Sequence, residues 1–408
     1  MAKHVVASYC TSFLKPEMLH IYRQVKALRG VKTFVITKEV QNAESFPFRD
    51  IEIIPQSRMN LLRHGWLKFV KREPPIVYRG EYQVLASLLE KRGADLMHIY
   101  FGHTGVHLLP FIEQWDKPCV VSFHGADVAI KNDIADYPVK LRRLFDLVPL
   151  VLARSQSLAN RLLRFGCPPE KLRINRTGIP LDEFPFVDRQ PPPDGRWKVM
   201  QACRLIPKKG VATSLRAFAI FKRDNPHAEF FIAGKGPLQR ELEMLAAGLG
   251  ILKDVHFVGF LPERKLMELY ASSHMFLHPS ETPPDENQEG IPNSVLEAMA
   301  TGLVVAATRH GGIPEAIQHG RTGWLVPEED HISLARTMQE ITSSPQILSE
   351  MGLRARQTVA QQFQQQTQIR LLESFYEEAI AVNGAEEPVK SEAMTSQVPQ
   401  FVEPVAAN

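Results

Sequence analysis

The stretch Glu289-Gly290-Ile291-Pro292-Asn293-Ser294-Val295-Leu296-Glu297-Ala298-Met299-Ala300-Thr301-Gly302 predicts a loop followed by a short helix. Pro292 suits a helix start because its missing N–H would have no partner there, and Asn293 or Ser294 can cap the first turn. The helix, over about 293–301, ends at Gly302, and the apolar run 303–307 then predicts a buried parallel strand. A loop, a helix and a buried strand in this order are typical of an α/β domain.

Two carboxylates, Glu289 and Glu297, flank this turn eight positions apart. N–H groups at a helix start attract anions, and carboxylates beside them accept hydrogen bonds from hydroxyls. A phosphate site next to a polyol site indicates a sugar nucleotide. A solvated helix start with two unrelated glutamates would explain the same residues, so this interpretation depends on other segments.

Two strand-to-helix turns supply those segments. Arg204 and Lys209 stand five positions apart after a strand predicted over 197–203, and together they can grip a pyrophosphate. A basic surface loop is the alternative. Gly234 and Gly236 follow a second predicted strand over 230–233, in a turn whose glycines allow close backbone approach to a ligand.

The order and spacing of the motifs resemble those of the retaining glycosyltransferases of family 4, over nearly the whole chain to about residue 380. More narrowly, the chain is similar to the bacterial exopolysaccharide branch that contains the colanic acid and amylovoran glycosyltransferases. The closer match rests on His98-Ile99-Tyr100-Phe101-Gly102 with Gly105, Phe123-His124-Gly125-Ala126-Asp127, Leu144-Phe145, Gly166-Cys167-Pro168 and Glu289-Gly290-Ile291-Pro292. Further motifs of the family are Val258-Gly259-Phe260, Gly311-Gly312-Ile313-Pro314-Glu315 and Thr322-Gly323-Trp324-Leu325-Val326.

The resemblance implies an α/β protein of the GT-B fold, with two Rossmann-like domains whose parallel sheets face a central cleft. Predicted strands over 5–8, 33–37, 96–100, 119–123 and 150–153 alternate with predicted helices such as 15–28 and 138–145, as this fold requires. The Pro/Gly-rich segment 188–195 predicts a linker. We therefore expect an acceptor-binding domain over 1–190, a nucleotide-sugar-binding domain over 191–364, a helix over 365–383 that crosses back to the first domain, and a disordered tail over 384–408.

The resemblance also assigns roles in the second domain. Glu289 would bind hydroxyls of the donor sugar, and Glu297 would bind the ribose hydroxyls. The backbone at Val258 and Phe260 would contact the nucleobase. The remaining donor-binding positions that the resemblance implies are Gly234, Gly236, Pro292, Asn293, Leu296 and Gly312.

The sequence contains no Asp-x-Asp motif, which would be expected to hold a divalent ion. The leaving diphosphate then needs fixed cations and backbone N–H groups, and Arg204 and Lys209 would take the metal's role. We expect no metal and no other cofactor, and a donor that carries a hexose on a nucleotide, UDP in the first instance. A retaining reaction without an evident nucleophile indicates front-face substitution, in which the departing phosphate oxygen accepts the acceptor's proton.

His124 is the predicted catalytic residue of the first domain. A single histidine after a strand is more often structural, but the family pattern implies that His124 reaches the donor sugar from the acceptor side. Three further residues are predicted on the acceptor side: Glu17, His103 and Asp127.

Composition agrees with an ordinary globular protein of two domains: among 408 residues, 44% are hydrophobic and 23% are charged. No apolar run reaches the roughly 18 residues of a membrane helix, and the N-terminus lacks a signal-peptide core. We expect a cytoplasmic protein. The four cysteines are far apart in sequence, as buried thiols in a reducing compartment would be.

The two halves of the chain differ in charge. Residues 1–190 contain 28 Lys and Arg against 19 Asp and Glu, and the remainder contains 20 against 26. The segment 58–72 interleaves five basic residues with Leu, Trp, Phe and Val, so it can lie on an anionic membrane as a peripheral contact. The alternative is a packed helix with a solvated basic face. No nucleic-acid-binding motif accompanies the charge.

The sequence therefore predicts a glycosyltransferase of exopolysaccharide or cell-surface polysaccharide biosynthesis, whose acceptor is a glycan or an undecaprenyl-linked oligosaccharide. Two alternatives remain: a sugar-nucleotide epimerase of the same fold, and a non-catalytic nucleotide-sugar-binding subunit. The identity of the sugar depends on a few hydroxyl contacts that the sequence does not reveal.

Overall fold

A computed structural model describes residues 3–15, 18–44, 46–54, 79–125, 127–128, 136–284 and 288–385. It contains two parallel β-sheets, one in each half of the chain, with helices packed on their faces. The predicted α/β class and GT-B architecture are confirmed. Glu17, residues 58–72 and the tail beyond 385 lie outside the described residues.

The first sheet has seven strands in the order β3-β2-β1-β4-β5-β6-β7. All its neighbouring strands pair in parallel, and the central ones are apolar and buried because helices cover both faces. The strands are β1 (Val5–Phe13), β2 (Lys32–Val40), β3 (Ile51–Ile53), β4 (Leu96–Tyr100), β5 (Cys119–Phe123), β6 (Leu150–Ala153) and β7 (Leu172–Ile174).

Among the described residues, six helices lie in the part of the chain that forms the first sheet: α1 (Leu19–Ala27), α2 (Arg79–Lys91), α3 (Gly102–His107), α4 (Leu109–Ile112), α5 (Tyr137–Leu147) and α6 (Gln156–Arg164). The start of α3 is unusual because Phe101, which precedes it, has a φ of 76°. A bulky residue at positive φ is strained, and such strain is often found at functional sites. Phe101 lies at the carboxyl end of β4, where the cleft between the two sheets begins.

The second sheet has six strands in the order β10-β9-β8-β11-β12-β13, again all parallel. The strands are β8 (Lys198–Ala202), β9 (Glu229–Ala233), β10 (Val255–Gly259), β11 (Met275–His278), β12 (Val304–Thr308) and β13 (Trp324–Val326). The helices are α7 (Val211–Asp224), α8 (Gln239–Gly248), α9 (Glu263–Ser272), α10 (Asn293–Ala300), α11 (Ile313–Ala316), α12 (His331–Ser343) and α13 (Pro345–Gln362).

The last described helix, α14 (Gln365–Ala385), packs on the first sheet although it follows the second in sequence. Ile369, Leu372 and Tyr376 share one apolar cluster with Val6 and Leu96. The His98 ring also lies 2.7 Å from the Tyr376 hydroxyl, measured from Nδ1. The helix therefore ties the end of the second domain to the core of the first.

No helix among the described residues is both long enough and apolar enough to cross a membrane.

Candidate active site

The predicted cation and the predicted sugar-binding carboxylate form an ion pair in the second domain. Lys209 ends a short 3-10 helix after β8, and its Nζ lies 2.6 Å from Oε1 of Glu289. The Nζ of Lys208 lies 3.7 Å from the same oxygen. Burial opposes ionisation of Glu289, but the two lysines outweigh it and lower the pKa of this carboxyl to about 2. Glu289 is therefore a fixed anion at neutral pH.

His310, which the sequence analysis missed, holds the backbone of Glu289. The Glu289 N–H donates to Nε2 of His310 over 3.1 Å. The ring proton is then on Nδ1, which lies 2.8 Å from Oε1 of Glu328. The imidazole is fully buried, so this relay fixes the position of the loop that carries Glu289. The sequence feature that could have identified His310 is its position in the turn after β12, directly before Gly311 and Gly312.

His278 is a second histidine that sequence reasoning missed. It ends β11 and is fully buried, and neither of its ring nitrogens has a hydrogen-bond partner among the described residues. Burial and the nearby Lys209 lower its pKa to about 3, although Glu289 acts in the opposite direction. A neutral imidazole therefore lies beside the Lys209–Glu289 pair.

Arg204 differs from Lys209 in its surroundings. Its side chain is exposed, and it makes no hydrogen bond or ion pair with any described residue. Arg204 follows β8, on the same turn as Lys209. The turn thus presents one free guanidinium beside one lysine that is already paired.

Gly234 and Gly236 lie where predicted, in the turn after β9. Gly234 has a φ of 140°, and a Cβ there would lie 1.8 Å from the carbonyl oxygen of Cys203. A Cβ on Gly236 would lie 2.3 Å from the carbonyl oxygen of Leu205. Both positions therefore require glycine in order to pack against the turn after β8, whether or not a ligand binds.

The helix α10 has no side-chain cap at its start. Pro292 is its N-cap residue and Asn293 is its first helical residue, so neither Asn293 nor Ser294 caps it, contrary to expectation. The cause is that Pro292 occupies the N-cap position, with φ of −64° and ψ of 128°, and a proline side chain has no oxygen to accept a cap hydrogen bond. Leu296 is fully buried in the core beneath this helix.

Glu297, on the same helix, is bound by residues of both domains. Nη1 of Arg23, from α1, lies 2.9 Å from Oε1 of Glu297. The Tyr270 hydroxyl donates to Oε2 over 3.2 Å. Arg23 also pairs with Glu263 at the start of α9. Glu297 is 9% exposed, so the pair lies in the closed interface between the domains.

Val258 and Phe260 lie at the end of β10. Val258 packs on the core of the second domain, while Phe260 is 52% exposed, which is unusual for so large an apolar side chain. Glu263, which pairs with Arg23, starts the helix that follows.

In the first domain, both ring nitrogens of His124 are engaged within the protein. Nδ1 lies 3.1 Å from Nε2 of His20, and Nε2 lies 3.1 Å from Oγ of Ser122. Burial, assisted by Arg154, lowers the pKa of His124 well below its ordinary value. His20 has a pKa of about 3, which burial causes first and the charge of Arg154 second. The pair is neutral at physiological pH.

Asp127 organises the loop that carries His124. Its carboxylate accepts hydrogen bonds from the N–H groups of Gly102, His124 and Gly125, at 2.9, 2.9 and 2.7 Å. His103, on α3, stacks on Phe101 with ring centroids 5.6 Å apart. Two of the three residues predicted on the acceptor side therefore lie around the His124 loop, and the third, Glu17, is outside the described residues.

The two domains meet along these loops. A Cβ on Gly125 would lie 3.0 Å from the carbonyl oxygen of Gln288. The Glu315 carboxylate accepts hydrogen bonds from the N–H groups of Gln156 and Ser157, each over 2.8 Å. The His124 loop and the Glu289 loop are thus in contact across the cleft. The described residues include no group of three or more His, Cys, Asp or Glu side chains placed to hold a metal ion.

Comparison with known proteins identifies the chain. The model of Glycosyl transferases group 1 matches residues 184–358, and the model of Glycosyltransferase Family 4 matches residues 19–183. The amylovoran biosynthesis glycosyltransferase AmsK of Erwinia amylovora is 32% identical over 301 residues, 72% of each chain. WcaL of Salmonella typhimurium, named as a colanic acid biosynthesis glycosyltransferase, is 32% identical over 294 residues, 71% of this chain and 72% of its own.

A solved structure supports the fold. HepE of Anabaena, determined in complex with UDP, superposes with a TM-score of 0.72 at 18% identity, over 92% of this chain and all of its own. At this identity the likeness concerns the architecture alone. From the family matches and the 32% identity to AmsK, the chain belongs to the family 4 glycosyltransferases of GT-B fold, in the branch of the amylovoran and colanic acid enzymes.

Proposed function

We propose that the protein transfers a hexose, with retention, from a UDP-sugar to a glycan or undecaprenyl-linked oligosaccharide in exopolysaccharide biosynthesis. The observation that carries the proposal is the buried Lys209–Glu289 pair, 2.6 Å apart, beside the exposed Arg204. Cations on one turn and a fixed carboxylate beside them suit a ligand that has a diphosphate at one end and hydroxyls at the other.

The donor would lie across the carboxyl ends of the second sheet. Arg204 and Lys209 would contact the diphosphate, with help from the N–H groups that follow Pro292. The N–H of Gly312, which the sequence analysis assigns to the same task, already donates to the carbonyl oxygens of Glu289 and Gly290, over 3.3 and 3.2 Å. Glu289 would accept hydrogen bonds from the sugar hydroxyls. Because its pKa is about 2, it keeps its charge through this task and does not transfer protons near neutral pH.

The nucleoside would extend toward Glu297 and Phe260. Each oxygen of Glu297 already has one partner, Arg23 or Tyr270, and a carboxylate oxygen has a second lone pair for a ribose hydroxyl. The exposed ring of Phe260 ends the strand that leads to the nucleobase position. A UDP donor is further supported by the UDP complex of HepE, a protein of the same architecture.

The reaction would be a front-face substitution without a side-chain base. The bond between the sugar C1 and the phosphate oxygen breaks, the acceptor oxygen bonds to C1 on the same face, and the acceptor's proton goes to the departing phosphate oxygen. Glu289 is held as an anion, and both nitrogens of His124 are bonded within the protein. His124 would shape the face from which the acceptor approaches. Arg204 and Lys209 would stabilise the charge of the leaving group without a metal.

The acceptor would enter from the first domain. The basic segment 58–72 would hold the protein at the inner face of an anionic membrane, where a lipid-linked acceptor resides. This segment lies outside the described residues, so the proposal rests on its sequence and on the charge of the first half of the chain.

The experiment begins with a thermal-shift screen of UDP-glucose, UDP-galactose, UDP-N-acetylglucosamine and GDP-mannose, since a ligand that binds the folded state raises the melting temperature. The stabilising donor is then incubated with the protein alone and with lipid-linked acceptors, and the products are examined by mass spectrometry and NMR. We expect an α-linked transfer product. Conversion of the donor without acceptor would identify an epimerase, and binding without any turnover would identify a non-catalytic subunit.

A further inference from the structure

Arg154 is a buried arginine that the mechanism above does not use. It follows β6 and is 6% exposed. Its Nη2 donates to Oε1 of Gln24 over 2.8 Å, while its Nε is buried and has no hydrogen-bond partner among the described residues. A guanidinium has five N–H donors and always carries its charge, so unfilled donors in the interior are costly.

No described carboxylate neutralises this charge by direct contact. The charge of Asp127 acts on it from a distance, but the oxygens of Asp127 are occupied by the N–H groups of Gly102, His124 and Gly125. Three neighbouring rings, those of His20, His98 and His124, are imidazoles rather than anions. A buried cation without a counterion is unfavourable unless a ligand supplies one.

Arg154 lines a narrow cleft where three parts of the molecule meet. The cleft is formed by α1, by the segment that follows β7, and by the start of α14. Arg176 lines it as well, and its Nε is also buried and has no hydrogen-bond partner in the part of the chain that the structure describes. The other polar residues of the lining are His20, Gln24, Thr177, Gln365 and Gln368.

The charges around the cleft favour an anion. Arg176 forms one ion pair, in which its Nη2 lies 3.3 Å from Oε2 of Glu315. Glu315 is itself engaged by the N–H groups of Gln156 and Ser157. Arg176 therefore has one carboxylate partner that is already occupied, and Arg154 has no carboxylate in contact among the described residues. Carboxylates and phosphates match the forked donors of arginine, which bind them in a bidentate manner.

We propose that the Arg154–Arg176 cleft is an anion site that receives a phosphate or carboxylate group of the acceptor. This rests on the proposed transferase function, because only that function supplies an acceptor. The site lies beside the His124 loop, and Arg154 also faces the Glu289 loop, because a Cβ on Gly290 would lie 3.9 Å from the Cβ of Arg154. An acceptor anchored here would also touch α14, so its binding would favour the closed arrangement of the two domains.

The probe is inorganic phosphate, titrated into the full chain in a thermal-shift assay. Acetate is titrated in parallel, and chloride is used to keep the ionic strength constant. Saturating UDP occupies the donor's diphosphate position during the titration, so that added phosphate reports on this cleft. We expect phosphate to stabilise the wild type and the Arg154→Gln variant to bind it at least tenfold more weakly. Arg196→Gln, at an exposed arginine just before β8, is the matched control and should bind phosphate like the wild type. A larger response to acetate than to phosphate would assign the site to carboxylates, and a larger response to phosphate would assign it to phosphates.

Unchanged phosphate binding by Arg154→Gln would overturn the proposal. If Arg154→Gln does not fold, Arg176→Gln must show the weaker phosphate binding, because this side chain is 30% exposed and its loss is tolerable. The response to UDP is measured separately in each variant. If UDP does not bind, the proposed donor fails, while phosphate titrated without UDP still tests the cleft.

Discussion

Arg23 of the first domain and Glu297 of the second form an ion pair, with Nη1 and Oε1 separated by 2.9 Å. The side chains are 11% and 12% exposed, so little water screens them. The residue proposed to bind the ribose is therefore also one of the residues that link the two domains. Binding of the nucleotide and closure of the domains would act on the same carboxylate.

A double-mutant cycle measures this link. Arg23→Met should lower the free energy of unfolding by about 3 kcal/mol, because it leaves a buried carboxylate without its cation. Glu297→Gln removes that carboxylate, so the double variant should be more stable than the sum of the single losses by about 1–3 kcal/mol. The cycle with Glu263→Gln is the control. Glu263 is 48% exposed, and its coupling to Arg23 should stay below about 1 kcal/mol. Strict additivity of Arg23 and Glu297 in urea unfolding would show that the pair does not stabilise the interface.

The buried histidines predict a loss of stability in acid. Burial first, and Arg154 second, lower the pKa of both His20 and His98 to about 3. The unfolded chain, with histidine pKa values near 6.5, then binds more protons than the folded chain between pH 6.5 and 3. Their contribution is complete above the unfolded pKa and is lost as the pH falls toward the folded one.

Between pH 7 and pH 5 the free energy of unfolding should fall by about 1–2 kcal/mol for each such histidine. His98→Asn keeps a polar group near the Tyr376 hydroxyl but removes the titration, so this variant should lose less stability over the same interval. His227→Asn, at an exposed histidine, should follow the wild type. Urea unfolding at several pH values measures the slopes, and identical slopes for His98→Asn and the wild type would refute the assignment.

Metal independence is tested by chelation. If Arg204 and Lys209 neutralise the diphosphate, turnover should persist in EDTA, and Arg204→Ala should lower kcat/KM by about 10²-fold or more. Arg204 is the cleaner probe because it is exposed and unpaired among the described residues, whereas Lys209→Ala also releases Glu289. Arg240→Ala, at an exposed arginine on α8, should leave the rate unchanged. Complete loss in EDTA with recovery in manganese would contradict the assignment.

The membrane contact is tested by partitioning onto vesicles. Changing Arg63, Lys68 and Lys71 together to Gln should remove roughly 3 kcal/mol of attraction to anionic lipid, over a hundredfold in partitioning. The melting temperature should not change. Arg196, Arg240 and Lys253, changed together to Gln, provide a control of equal charge in the second domain. If the wild type fails to sediment with anionic liposomes at low salt, the segment 58–72 is an ordinary solvated surface.

Buried parallel strands were the part of the fold most readable from sequence. The predicted bounds 96–100, 119–123 and 150–153 coincide with β4, β5 and β6. Short continuous apolar runs between turn residues are typical of buried parallel strands, so their bounds can be predicted. The prediction was less accurate for the ends of strands and helices near the cleft. β1 was predicted to stop at Ser8 but continues to Phe13, because β2 pairs with it through residues 12 and 13. Pairing of that kind depends on a neighbouring strand and is not encoded locally.

The chemistry of the site was only partly readable. Glu289, Lys209 and Arg204 stand out because their residue types and spacing suit a phosphate and a polyol. The sequence does not identify Arg23 or His310, because each acquires its role from a partner more than 20 positions away in sequence. Isolated basic residues on an amphipathic helix or after a strand look the same in sequence whether they face solvent or a buried carboxylate.

The division of labour between the two glutamates is the central claim, and calorimetric titration with UDP in EDTA tests it most directly. Glu297→Gln should weaken UDP binding by about tenfold or more, since it removes the proposed acceptor of the ribose hydroxyls. Glu289→Gln should bind free UDP as well as the wild type does, because its proposed partners lie on the sugar and Lys209 loses only its competing anion. The Glu289 variant should instead lose affinity or turnover for the whole UDP-sugar. Equal losses of UDP affinity in both variants, or no binding of UDP by the wild type, would contradict the proposed site.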